Sequence, residues 1–174
     1  MRPQGYSSAA IANELLKLSK QSSIDITPMA LNKLVYLAHG WHLAFTGRAL
    51  ISERIEAWKY GPVVPSLYQE FKSFGDQPIA GVAFGSDTTT TTTPEIPYLP
   101  DDSEGHEARE IIQSVWERYG ELSALRLSDI THQRDTPWWM VYESGRRQFG
   151  DRPRAIEIPN ELILDHYQRL RKQA

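Results

Sequence analysis

Cysteine is absent from the 174-residue chain. That excludes disulfides, thiolate catalysis and cysteine-based zinc sites together, and it suits a cytoplasmic protein. Long apolar runs are also missing. The best candidate, Met29 to Phe45, contains Asn32, Lys33, His39 and His42 and is too polar for an ordinary membrane span. Asn13, Glu14 and Lys17 interrupt the N-terminal region before it can form the apolar core of a signal peptide. Neither sign of charge dominates: a net charge of -3 gives no reason to expect a nucleic-acid surface. The cluster Arg169, Arg171 and Lys172 is what the C-terminus of a helix favours. The chain has no phosphate loop, no dinucleotide glycine motif, no nucleophile elbow and no internal repeat.

Polar residues suited to carrying chemistry are sparse. His39 and His42 stand three apart on one expected helix and could share a metal, but no carboxylate sits at a matching position and no third ligand is evident. His132 between Thr131 and Asp135 is a sequence cluster, not a triad. The run Asp101, Asp102 and Glu104 reads as acidic residues favouring a helix start. No catalytic residue, cofactor or metal is therefore expected.

What is present is helical pattern. Ser7 or Ser8 can cap a first helix to about Lys20, with Ile11, Leu15 and Leu18 inward and Asn13, Lys17 and Lys20 outward. Thr27-Pro28 is a strong start for a second helix that Gly47 ends. Leu31, Leu34, Val35, Ala38, Trp41 and Phe45 form one apolar stripe of this helix, and Ala30, Leu37 and Ala44 widen it. Only Asn32, Lys33, Tyr36 and His39 leave a narrow polar strip, so the helix is expected to be central. The strip must meet solvent, a buried partner or another protein.

Ala49–Ile51 and Arg54–Trp58 read as short extended segments joined at Ser52-Glu53. Pro65 opens a helix closed by Gly75, and Ile79–Phe84 and Ile96–Leu99 are candidate strands. Between them lies the Thr88–Thr93 run, expected to be part of a flexible loop at about residues 85–102. Further helices are expected from a cap at Ser103 to about Tyr119, after caps at Ser123 and Ser128, from Pro137, and after Pro159, the last with Leu162, Ile163, His166, Tyr167 and Leu170 inward. The fold class is α+β, mainly α: a single globular helical domain over residues 1–174, built around a central apolar helix with a small antiparallel sheet.

The stretch Glu56 to Pro65 presents two large amphipathic rings, a cation and a turn stiffened by glycine and proline, which suits an interaction surface. Adjacent Trp138 and Trp139 cannot both point inward on a helix, because neighbours differ by about 100°. The expected protein-binding surface contains Lys33, Tyr36, Lys59, Tyr60 and Pro62, with an exposed member of the Trp138–Trp139 pair.

The order of motifs resembles one family. Residues 31–44, reading LNKLVYLAHGWHLA, are similar to the LxKLxYxAxGWxLA helix of the SocA-like antitoxins, also called the Panacea domain and formerly grouped with phage-associated GepA proteins. Ile55 to Val63 resembles the family's IEAWxYGPV motif, followed by Pro65, Leu67 and Tyr68. Leu127 to His132 with Pro137-Trp138 resembles its LSxxTH…PW segment. The resemblance implies an antitoxin that binds and neutralises a cognate toxin protein. In the family's namesake it implies an adaptor that delivers the toxin to the ClpXP protease. A phage-derived enzyme or nucleic-acid-binding regulator is the alternative class; no helix-turn-helix with a basic recognition helix supports the latter.

Overall fold

The computed structural model describes residues 5–85, 95–150 and 155–174. Ser7 caps α1 (Ser8–Ser22) by accepting from the Ala10 amide. Thr27 caps α2 (Pro28–Thr46) through the Ala30 amide, and Gly47 ends it in the left-handed conformation. Then follow α3 (Pro65–Phe71), α4 (Ser103–Tyr119), α5 (Ala124–Thr131), α6 (Pro137–Phe149) and α7 (Asn160–Gln173). Strands β1 (Glu56–Trp58), β2 (Gly61–Val63) and β3 (Ile156–Glu157) make an antiparallel sheet in the order β2-β1-β3. The architecture is the mainly α, α+β one expected.

Helix α2 is the pillar. Every residue from Ala30 to Ala44 is buried, and α1, α3, α4, α5, α7 and β2 all pack against it. Its Leu31, Leu34 and Val35 share one core with Ile11 and Leu15 of α1, Ile112 of α4, Leu127 of α5 and Ile163 of α7. Gly40 lets α7 cross closely, since a side chain there would strike the Tyr167 ring. Tyr36 and Trp41 meet that ring edge-on, with centroids 6.1 and 5.2 Å away. At the end of α2, Arg171 of α7 donates to the Ala44 carbonyl (3.0 Å) and lies over Phe45.

Several local expectations need correction. The hairpin joins β1 to β2 through Lys59-Tyr60, with Trp58 opposite Gly61, and does not turn at Ser52-Glu53. Ile51 instead bridges in parallel to Tyr6. Residues 79–84 and 96–99 form no strand. Asn13 faces inward, not outward, and supplies the hydrogen bonds a neighbouring strand would: it bonds Ala83 N (2.7 Å), Ala83 O (2.9 Å) and Pro97 O (2.9 Å). Asp102, not Ser103, caps α4. Ser128 lies inside a single helix that Ser123 caps. Phe45 and Leu170 are exposed, not inward: both lie near the ends of their helices, and the Phe45 ring is covered only by the Arg171 guanidinium and the neighbouring Trp41 ring. The Thr88–Thr93 run lies outside the described residues.

Two substitutions on α2 test this arrangement by denaturant unfolding. Leu34→Ala should cost about 2–5 kcal/mol. Gly40→Ala should also destabilise, although alanine is favoured over glycine in a helix by about 1 kcal/mol. A stabilised Gly40→Ala would refute the close crossing of α7.

Candidate protein-binding site

The polar strip of α2 turns inward, and its Asn32, Lys33 and His39 meet backbone. In a hairpin with this register, residues 61 and 63 bond to β1, so the polar groups of residues 62 and 64 point to the free edge of β2. Asn32 Oδ1 accepts from Val64 N (2.9 Å), and Lys33 Nζ donates to the Pro62 carbonyl (2.9 Å). Two side chains of α2 thus do what a fourth strand would do. Farther along, His39 accepts from the Ile51 amide at Nδ1 (3.3 Å), which leaves Nε2–H to donate to Asn160 Oδ1 (2.8 Å). Burial pushes the His39 pKa down to about 4, keeping the ring neutral. His42 donates from Nδ1 to the Arg48 carbonyl (2.8 Å), and burial lowers its pKa as well. Among the described residues, no three His, Asp or Glu side chains cluster so as to hold a metal ion.

The turn at Trp58–Pro62 is held from three helices. Trp138 Nε1 of α6 donates to the Trp58 carbonyl (2.7 Å). Ser128 Oγ of α5 donates to the Tyr60 carbonyl (3.1 Å), and Lys33 of α2 secures the Pro62 carbonyl. Gly61 sits at φ +110°, a backbone conformation that favours glycine, and a Cβ there would lie 2.7 Å from Lys33 Nζ and push that amine aside. With the backbone clamped, Lys59 and Tyr60 are left facing outward. Tyr60 is 60% exposed, and Lys59 Nζ stands 5.1 Å from its ring centroid.

The remaining expected site residues fall in different places. Tyr36 points into the core against Tyr167, and burial raises its pKa. Pro62 is buried. Trp138 is buried, stacked on Tyr142 at 4.7 Å and edge-on to His132 at 4.2 Å. Trp139 is half-buried, with the Arg134 guanidinium 5.6 Å from its ring, so it is the member of the pair with surface to offer. Lys33 is only 2% exposed, yet it reaches the floor of a cavity of about 570 Å³ beside the turn. Tyr68 and Lys72, which line the same cavity, were not among the expected site residues. Tyr68 lies in the first turn of the helix opened by Pro65, close enough in sequence to fold back on Trp58, and that spacing was the available signal.

A family model described as "Antitoxin SocA-like, Panacea domain" matches residues 31–139. The chain belongs to this family. It is 32% identical over 165 residues to Antitoxin SocA of Caulobacter vibrioides (strain NA1000 / CB15N), an alignment that covers 95% of this chain and 84% of that protein. No solved structure matches the chain. Membership in the SocA-like family supports an antitoxin role, implies a cognate toxin as partner and points away from catalysis. The matched span contains every residue that clamps the turn: Lys33, Ser128 and Trp138. No helix among the described residues is long and apolar enough to cross a membrane.

The clamp has a pH signature. Burial lowers the Lys33 pKa from 10.5 to about 7. Between those values the unfolded chain binds more protons than the folded one, so stability rises with pH from about 7 towards 10, by up to about 1.4 kcal/mol per unit. Chemical denaturation at pH 7 and pH 9 should show this rise in the native chain. Lys33→Met should flatten it; an unchanged slope would place the titrating group elsewhere.

Proposed function

We propose that this protein neutralises a cognate toxin by binding it directly, through a face centred on Lys59 and Tyr60. One observation carries the reading: the carbonyls of Trp58, Tyr60 and Pro62 are each held by a different helix, while the Lys59 and Tyr60 side chains are left outward. A large amphipathic ring fixed before contact loses little entropy on binding, and tyrosine is among the residues that dominate interface energetics. Lys59 adds a cation beside that ring. Residues 1–174 act in this reading as one antitoxin domain in the cytoplasm. Delivery of the toxin to the ClpXP protease would require the same binding step first.

Co-expression with the product of the adjacent reading frame, followed by co-purification, tests the reading. Lys59→Glu combined with Tyr60→Ala should weaken the complex at least about 30-fold, the size of an interface hot spot. The same variant should keep its melting behaviour, since exposed substitutions usually change stability by no more than about 0.5 kcal/mol. Unchanged affinity would move the interface away from the turn. Growth rescue that persists in cells lacking ClpX identifies direct neutralisation, and rescue lost only there identifies delivery to the protease.

A further inference from the structure

Beside the clamped turn, the cavity of about 570 Å³ falls within the size range of pockets that enclose a ligand. Trp58 and Tyr68 form one wall, edge-to-face with centroids 4.8 Å apart. Lys33 lies at the floor, and the exposed Lys59 and Lys72 stand at the rim. Among the described residues three lysines line the cavity and no acidic residue does. The carboxylate of nearby Glu56 is already engaged, by Arg54 (2.7 Å) and by Trp58 Nε1 (2.8 Å).

Lys33 is the unusual member. An ammonium has three donors, and among the described residues this one has a single acceptor, the Pro62 carbonyl. A buried cation without a counter-ion is costly, and a carboxylate arriving from the cavity would remove that cost. The rest of the lining is largely apolar and aromatic, so it favours a ligand with an apolar body as well as a negative charge.

We propose that this pocket receives an extended segment of the partner protein in which a large apolar side chain adjoins an aspartate or glutamate. The apolar group lies against Trp58 and Tyr68, and the carboxylate pairs with Lys33, with Lys59 and Lys72 drawing it in. A protein segment is favoured over a free metabolite by continuity: Lys59 and Tyr60 belong both to the exposed turn and to the cavity lining, so a partner seated on the turn is already at the mouth. The inference rests on the toxin-binding reading and names the chemistry of the bound segment. The lowered pKa of Lys33 is consistent with it, because a bound carboxylate would restore the charge that burial suppresses.

The test uses a matched pair of capped dipeptides, N-acetyl-Trp-Glu-amide and N-acetyl-Trp-Gln-amide, titrated into the full chain and followed by amide NMR. The Glu form should shift the Trp58, Tyr60 and Gly75 amides saturably and bind about tenfold more tightly than the Gln form, the size expected of one charge-assisted hydrogen bond. Lys33→Met should abolish that discrimination, whereas Tyr68→Ala should weaken both forms alike. In the native chain, nitrogen NMR of the Lys33 amine should show its apparent pKa raised by the Glu form only, a readout independent of any variant's folding. Equal binding of the two dipeptides, or discrimination retained without Lys33, overturns the inference. So does a chain–toxin complex that still takes up the Glu dipeptide, an outcome that leaves toxin binding intact. A chain that discriminates the dipeptides but binds no toxin overturns the toxin reading and leaves the pocket's chemistry standing.

Discussion

The structure depends on hydrogen bonds that α2 makes sideways, from its side chains to backbone far away in sequence. An ordinary buried helix offers neighbours only apolar contact, which is strong but not directional. Here Asn32, Lys33, His39 and His42 each reach a backbone group of the segment between Arg48 and Val64. That segment contains little regular structure of its own, so its shape is written largely by the helix beside it. An apolar residue at any of these positions would leave a donor or acceptor buried without a partner, at a cost of about 1–3 kcal/mol.

The same constraint explains why the family motifs recur in three separated places. The helix motif supplies Lys33, the hairpin motif supplies the carbonyls and Gly61, and the third motif supplies Ser128 and Trp138. They are parts of one clamp. Its members are mostly buried, and what they present to solvent is a pair of side chains that the clamp itself does not need.

Much of the fold was legible. Thr27-Pro28 and Gly47 bounded the central helix, and its all-round apolar pattern declared its place. The polar strip was also visible, but its direction was not. A lysine in a sequence looks the same whether its partner is water or a carbonyl 29 residues away. The hairpin was misplaced because its strands are three residues each, too short to show alternation, and its turn is Lys59-Tyr60 with neither Asn nor Asp to mark it. Asn13 misled for a related reason: its helical position follows the polar pattern, yet two loops more than 65 residues later cover it and use it. Of the expected binding residues, Lys59 and Tyr60 are outward, whereas Tyr36, Pro62 and Trp138 are interior because long-range packing, not local pattern, decides their exposure.

Helix α7 carries a consequence for how the molecule comes into being. Its Arg171 closes the end of α2 from 127 residues further along the chain, and its Tyr167 fills the notch left by Gly40. During synthesis α2 emerges well before α7, so the central helix keeps one flank uncovered until α7 follows. For that interval the flank of α2 that Tyr167 covers is open to solvent. In a chain assembled in this order the central helix stays open on one side until α7 docks, and is covered from then on.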